Sequence, residues 1–226
     1  MTQGTDIGRL RDEASREDYA SMARLARALY ASGLGPREVL REAYGTDFPD
    51  EVFVLVGAGL SSLDLLAYFT HQPWQLAVPP GQDGPEEGGS EEDPGPLAET
   101  ELLVLALDPD LLPLAQIPAA TSAGDDRIVC YRIEELRAGR TTVHCLRAAP
   151  YPYSELRDTE AVRCGDSLLE VLYEVHADGL RRLEEELHQP WNRGAGSVDP
   201  GEVEQARATL DLVEELRRRA AGRQEG

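Results

Sequence analysis

The side chains able to do strong chemistry are few and scattered. Four histidines (His71, His144, His176, His188) and three cysteines (Cys130, Cys145, Cys164) are spread along the chain. A zinc site needs three or four such ligands brought together. Cys130 and Cys145 fall on runs that read as pairing strands, and His144 precedes Cys145. Adjacent strand residues point to opposite faces, so His144 and Cys145 do not easily share one ion. Cys164 reads as part of a loop. The thiols are therefore expected to be buried and structural, with no metal or cofactor. His176 falls within a leucine stripe, the place of a core or boundary histidine. No serine or cysteine sits in a nucleophile elbow. Gly57-Ala58-Gly59 is followed by no Gly-Lys-Ser/Thr and lacks the dinucleotide fingerprint, so it reads as an interhelical turn. Glu134 and Glu135 are adjacent and would face apart on a strand, a poor general acid–base pair but an ordinary solvated turn. Trp74 and Trp191 each follow a proline and read either as packed loop anchors or as hot spots for a partner.

Most of the elements that must position these groups announce themselves by period and by punctuation. Residues 1–14 are polar and read as a flexible N-terminus. Ser15 and Asp18 resemble a capping box for a helix to about Ala31, with Tyr19, Met22, Ala26 and Leu29 on one face. Pro36 opens a second helix that Gly45 stops. Phe48-Pro49-Asp50-Glu51 opens a third, its acids suiting the positive end of the helix dipole. Ser62–Phe69 reads as one more helical segment, capped by Ser61 and Asp64, and Trp74–Val78 as a strand. Four further strand candidates follow: Leu102–Leu107, Leu111–Ile117, Arg127–Ile133 and Thr141–Leu146, with turn residues at Gly124-Asp125-Asp126 and Ala138-Gly139. Ala148–Arg163, with its Pro-Tyr-Pro-Tyr, reads as a rigid loop. Ser167–His188 is a long helix with a leucine stripe that includes Leu180, Leu183 and Leu187. After the linker Asn192–Ser197, Asp199-Pro200-Gly201-Glu202 is a strong start for a last helix to Arg219. This helix is expected to fold back on the preceding one as an antiparallel hairpin, the alternative being that it waits for a second copy or a partner.

These elements predict an α+β fold: a short, mostly antiparallel central sheet with helices packed on one face, flanked by N- and C-terminal helices, and a C-terminal helical extension. The expected organisation is a flexible tail over 1–14, one domain over 15–189, and a linker with the last helix over 190–226. Pro79–Pro96 has no apolar side chain other than proline and reads as a disordered acidic loop within that domain, a passive insertion or a binding tail.

Twenty-two arginines, no lysine and 42 acids give a formal charge of −20. Such a chain repels nucleic acid and anionic membranes and attracts a basic partner. No apolar run approaches the roughly 20 residues that cross a bilayer, and the first residues carry no apolar signal core. An odd number of cysteines without a signal sequence fits a reducing cytoplasm. Arginine used to the exclusion of lysine suggests a GC-rich bacterial source.

Three stretches carry a family likeness. Tyr44-Gly45-Thr46-Asp47-Phe48-Pro49-Asp50-Glu51 follows a helix pair. Leu112-Pro113-Leu114-Ala115-Gln116-Ile117 is followed by the Gly124-Asp125-Asp126 turn and the aromatic-bearing strand through Tyr131. Asp166-Ser167-Leu168-Leu169-Glu170-Val171-Leu172 opens a closing helix. In this order the chain resembles the SUKH superfamily, bacterial immunity proteins related to a yeast cell-wall-assembly regulator. It differs in having Val56-Gly57-Ala58-Gly59 where that family has Asn-Gly, and in its acidic loop and last helix. The resemblance implies an α+β binding protein, not an enzyme, with neutralisation of a toxin as its role.

Two functions follow as expectations. The first is a non-enzymatic protein-binding module whose basic partner meets Asp125, Asp126, Glu134, Glu135 and Trp74, with self-association possible through the last helix. The alternative is a small-molecule sensor or enzyme, its site between the sheet and the N-terminal helices and built from Tyr131, His144, Asp125 and Asp126.

Overall fold

The computed structural model describes residues 6–60, 63–81, 95–120, 124–189 and 198–224. Most of the acidic loop Pro79–Pro96, the Ser61 cap, Trp191 and the linker Asn192–Ser197 lie outside the described residues.

Within the flexible tail expected over 1–14, the described residues form a helix. Helix α1 spans Ile7–Glu13, and Asp6 caps it by accepting from the Arg9 N–H at 3.2 Å. Arg9 and Glu13 pair one turn apart at 2.7 Å, and Leu10 is buried. Leu10 and the partly buried Ile7 pack the helix on the main core. Helix α2 spans Tyr19–Ala31, and its N-cap is Asp18, not Ser15. Ser15 instead ties the approach to the helix, its N–H donating to Ser21 Oγ at 2.9 Å. Helix α3, Pro36–Tyr44, ends at Gly45 in the left-handed conformation, and helix α4 spans Asp50–Gly57. Leu25, Val39, Leu40, Val52 and Leu55 from α2, α3 and α4 are fully buried in one core.

A five-stranded, wholly antiparallel sheet lies behind these helices, in the order β1-β2-β3-β4-β5. The strands are β1 (Tyr68–Phe69), β2 (Leu111–Ile117), β3 (Asp126–Arg132), β4 (Val143–Ala148) and β5 (Val162–Gly165). Every residue of β2 is buried. Pro113 is tolerated in this inner strand because the pairing register shifts between Pro113 and Ala115.

Four expectations fail here. Leu102–Leu107 is not a strand but the second half of helix α5, Gly95–Leu107. An uninterrupted apolar run has no period to distinguish helix from strand. Val104 is fully buried, whereas Leu102 and Leu103 are 42% and 38% exposed, so the run divides between core and surface as a helix does. Trp74–Val78 is one 3₁₀ turn, Gln75–Ala77, closed by Ala77 N–H to Pro73 and Trp74 carbonyls. The described part of the expected helix Ser62–Phe69, from Leu63 on, is irregular as far as the two-residue β1. The expected loop Ala148–Arg163 ends in β5.

Helices cover both faces of the sheet, where one covered face was expected. Helices α2, α3, α4 and α7 share the main core, while Val104 of α5 packs on Ile128, Cys130, Leu146 and Ala148 of the opposite face. A further short helix, α6 (Ile133–Arg137), joins β3 to β4.

Helix α7 spans Leu168–Leu187 and α8 spans Pro200–Gln224. Ser167 caps the first, accepting from Glu170 N–H at 3.1 Å. Asp199 caps the second, accepting from Gly201 and Glu202 at 2.6 and 3.1 Å. The two run antiparallel: Arg207 pairs with Glu184 at 2.6 Å, and the Arg217 guanidinium lies 4.7 Å from the Tyr173 ring centre. Helix α8 also packs on α4, and Val213 and Leu216 are fully buried in the main core. The hairpin expected from the short linker thus buries Val203, Val213 and Leu216 within the chain.

Candidate functional site

Two buried carboxylates fix the scaffold. Glu51 of α4 is 4% exposed. It accepts from the Tyr131 hydroxyl and from the Leu168 and Leu169 N–H groups at 2.9 and 3.0 Å. It therefore caps α7, a helix more than a hundred residues away, as well as opening its own. Burial pushes its carboxyl pKa up, against the pull of these hydrogen bonds, and pushes the Tyr131 hydroxyl up too. Asp126 at the start of β3 is 3% exposed. It accepts from Gln116 Nε2 at 2.8 Å and from the Ala119 and Tyr151 N–H groups, both at 2.9 Å. This clamp binds the corner after β2 to the loop after β4.

An open groove is built on that clamped corner. Its floor is Leu66, Pro118, Val175, Leu180, Leu183 and Ala206, and it encloses about 480 Å³ between the corner and the α7–α8 hairpin. His176 joins two of its walls: its Nε2 accepts from the Leu66 N–H at 3.2 Å. Accepting there leaves the ring proton on Nδ1, and burial lowers the imidazole pKa. Three acids stand around the floor, Asp64, Glu186 and Glu202. Among the described lining residues there is one arginine, Arg182, and it is bonded to the backbone. Its guanidinium donates to the Ala120 carbonyl at 2.8 Å and to the Asp178 carbonyl at 3.2 Å.

Pro118 and Ala119 also line a shallower recess with Tyr68 and Tyr151. The two tyrosine rings stack at 4.5 Å, and they remain 42% and 39% exposed. With Leu66 at 49% and Tyr153 at 70%, they make an exposed apolar border on one end of the sheet.

The residues proposed from sequence do not gather there. Asp126 is internal and cannot meet a partner. Trp74 is 2% exposed, its Nε1–H donating to the Leu114 carbonyl at 2.7 Å, so it is an anchor and not a contact. Glu134 and Glu135 lie on α6, at the far end of β3 from Asp125, roughly 20 Å away by strand length. Glu135 is partly buried, 3.4 Å from His144 Nε2. Of the proposed contacts that reach the surface, Asp125 is the one near the groove, at 3.8 and 3.6 Å from Arg147 and Arg157.

The alternative quartet is also divided. Tyr131 faces Glu51 in the main core, whereas His144 pairs with Cys130 and so projects from the other face. A separate polar contact, His71 Nδ1 with Glu101 at 3.3 Å, joins the segment after β1 to α5. The hydrogen bond to Glu101 raises the His71 pKa.

Sequence reading assigned Glu51 to its own helix and passed over Leu66, Tyr68 and Tyr151. Leu66 and Tyr68 lay hidden in an expected helix, and Tyr151 in an expected loop. Among the described residues no three His, Cys, Asp or Glu side chains form a metal-ligand group, and no helix is long and apolar enough to cross a membrane. No protein-family model matches the chain, and comparisons with curated proteins and with solved structures return no match.

Proposed function

We propose that this protein is a non-enzymatic protein-binding module that takes a basic, amphipathic segment of a partner into the groove between the Pro118–Ala120 corner and the α7–α8 hairpin. The observation that carries this reading is the make-up of the groove: an apolar floor ringed by Asp64, Glu186 and Glu202, with Arg182 already bonded to backbone carbonyls. An apolar floor takes the nonpolar side of a helix, and acids around it select lysine or arginine on that helix's flank. The formal charge of −20 steers a basic partner toward the chain from a distance. The resemblance to SUKH immunity proteins gives the reading a biological form, neutralisation of a basic toxin.

Two labelled peptides test it, with the same apolar face and either arginine or glutamate on the polar face. The basic peptide binds, and added salt weakens it. Leu183→Arg and Glu186→Arg each cost about tenfold in affinity, near 1.4 kcal/mol, with the melting temperature unchanged. Equal binding of the acidic peptide, or indifference to Leu183→Arg, overturns the proposal.

A further inference from the structure

Cys145 and Cys164 were expected as unrelated structural thiols, one on a strand and one in a loop. Only Cys130 is fully buried; the other two are partly exposed. Cys145 lies on β4 and pairs with Val162 of β5, the edge strand. Cys164 is the unpaired residue between Arg163, which faces His144, and Gly165, which faces Val143, so it lies in the bulge next to the Cys145 pairing. The register shift between Val143 and His144 falls beside it. Both side chains rest on the main core, whereas Cys130 belongs to the core on the opposite face. The third thiol therefore cannot reach this pair.

We propose that Cys145 and Cys164 form a reversible oxidative modification site, closing an intramolecular disulfide between β4 and β5 on reaction with a low-molecular-weight disulfide. The groups are suited to separate roles. The neighbouring Cys164 thiol brings the Cys145 pKa down to about 7. The same contact, with burial, pushes Cys164 up. Cys145 is then the attacking thiolate near neutral pH. It displaces one thiol from the small disulfide, RSSR, and becomes a mixed disulfide. Once its sulfur is uncharged, the contact no longer holds the Cys164 proton. The Cys164 thiolate attacks the Cys145 sulfur and releases the second thiol. The balance is two protein thiols and one RSSR giving one protein disulfide and two RSH. The bridge fastens the edge strand to its neighbour, just before the Gly165–Ser167 turn that leads into α7.

The test uses the full chain and oxidised glutathione at neutral pH. Titratable thiols in the unfolded product fall from three to one, the intact mass drops by two hydrogens, and digestion yields one peptide linking Cys145 to Cys164. Cys130→Ser leaves the reaction intact. Cys164→Ser, nearly isosteric and partly exposed, stops at a stable glutathione adduct on Cys145. Cys145→Ser reacts about tenfold more slowly and forms no bridge. Three thiols remaining after treatment, a stable adduct in the unaltered chain, a bridge that includes Cys130, or a covalent dimer in place of the internal bridge would each overturn the assignment.

Discussion

Glu51 and Glu186 are both carboxylates beside the α7–α8 hairpin, and their surroundings are opposite. Glu51 is sealed from water, and its oxygens are matched by a tyrosine hydroxyl and two helix-end N–H groups. Glu186 is exposed at the border of an apolar hollow. A buried polar group with every partner supplied by the fold holds the fold together, and removing it leaves donors stranded. A polar group at the edge of an open nonpolar floor adds little to folding and remains available to another molecule. The difference assigns the knot around Glu51 to stability and the groove to recognition. Three measurements break or sharpen that division.

The largest effect is expected from removing α8 at Pro200. This removes the buried Val203, Val213 and Leu216, whose burial contributes about 1.5–3 kcal/mol each, and uncovers apolar surface on α4 and α7. The loss, about 5 kcal/mol or more, consumes much of an ordinary domain's stability. Cooperative thermal unfolding should be lost or shifted far down. A truncated chain that melts like the full one would show that α8 only rests on the core.

Next is Glu51→Ala, which strands the Tyr131 hydroxyl and two N–H groups at the start of α7. It should cost about 3 kcal/mol in denaturant unfolding, while Leu183→Arg in the groove costs almost none. Equal costs for the two would erase the division between knot and groove.

The smallest effect concerns His176, which belongs to both regions. Its folded pKa is lowered by burial, so its contribution is full above the ordinary histidine value and lost as the pH falls below it. His71 has the opposite sign: its hydrogen bond to Glu101 raises its pKa, so its contribution is full at low pH and lost as the pH rises through the raised value. Subtracting the melting profile of His176→Gln from that of the unaltered chain leaves the His176 component. Glutamine retains an acceptor for the Leu66 N–H. The difference should show greater acid loss in the unaltered chain; coincident profiles would mean that His176 is not held neutral by the fold.

Much of the fold was legible because it is written locally. Pro36 and Gly45 bound α3, and Asp199-Pro200-Gly201-Glu202 starts α8. The runs of β2, β3 and β4 fall between turn residues. What was illegible depends on partners far away in sequence. Leu102–Leu107 has no period, and only the sheet behind Val104 fixes it as a helix. Strands β1 and β5 are too short to carry an alternation. Asp125 and Asp126 are neighbours with the same chemistry, yet one is at the surface and the other is the hub of a clamp. The groove takes its lining from four separate stretches, so no window of sequence contains it. Charge alone pointed to a basic partner but selected acids from both ends of the sheet.

The hydrogen bonds from Glu51 to α7 have a consequence in time. The sheet is a meander in which each strand from β2 onward pairs with the next one made. Leu168, by contrast, follows Glu51 by 117 residues. A ribosome adding about 5–20 residues per second takes about 6–23 s to cover that distance. Throughout that interval the Glu51 carboxylate has no helix end to cap, and α4 has no α8 to cover it. The nascent chain can seal its oldest helices only after α7 and α8 have been made.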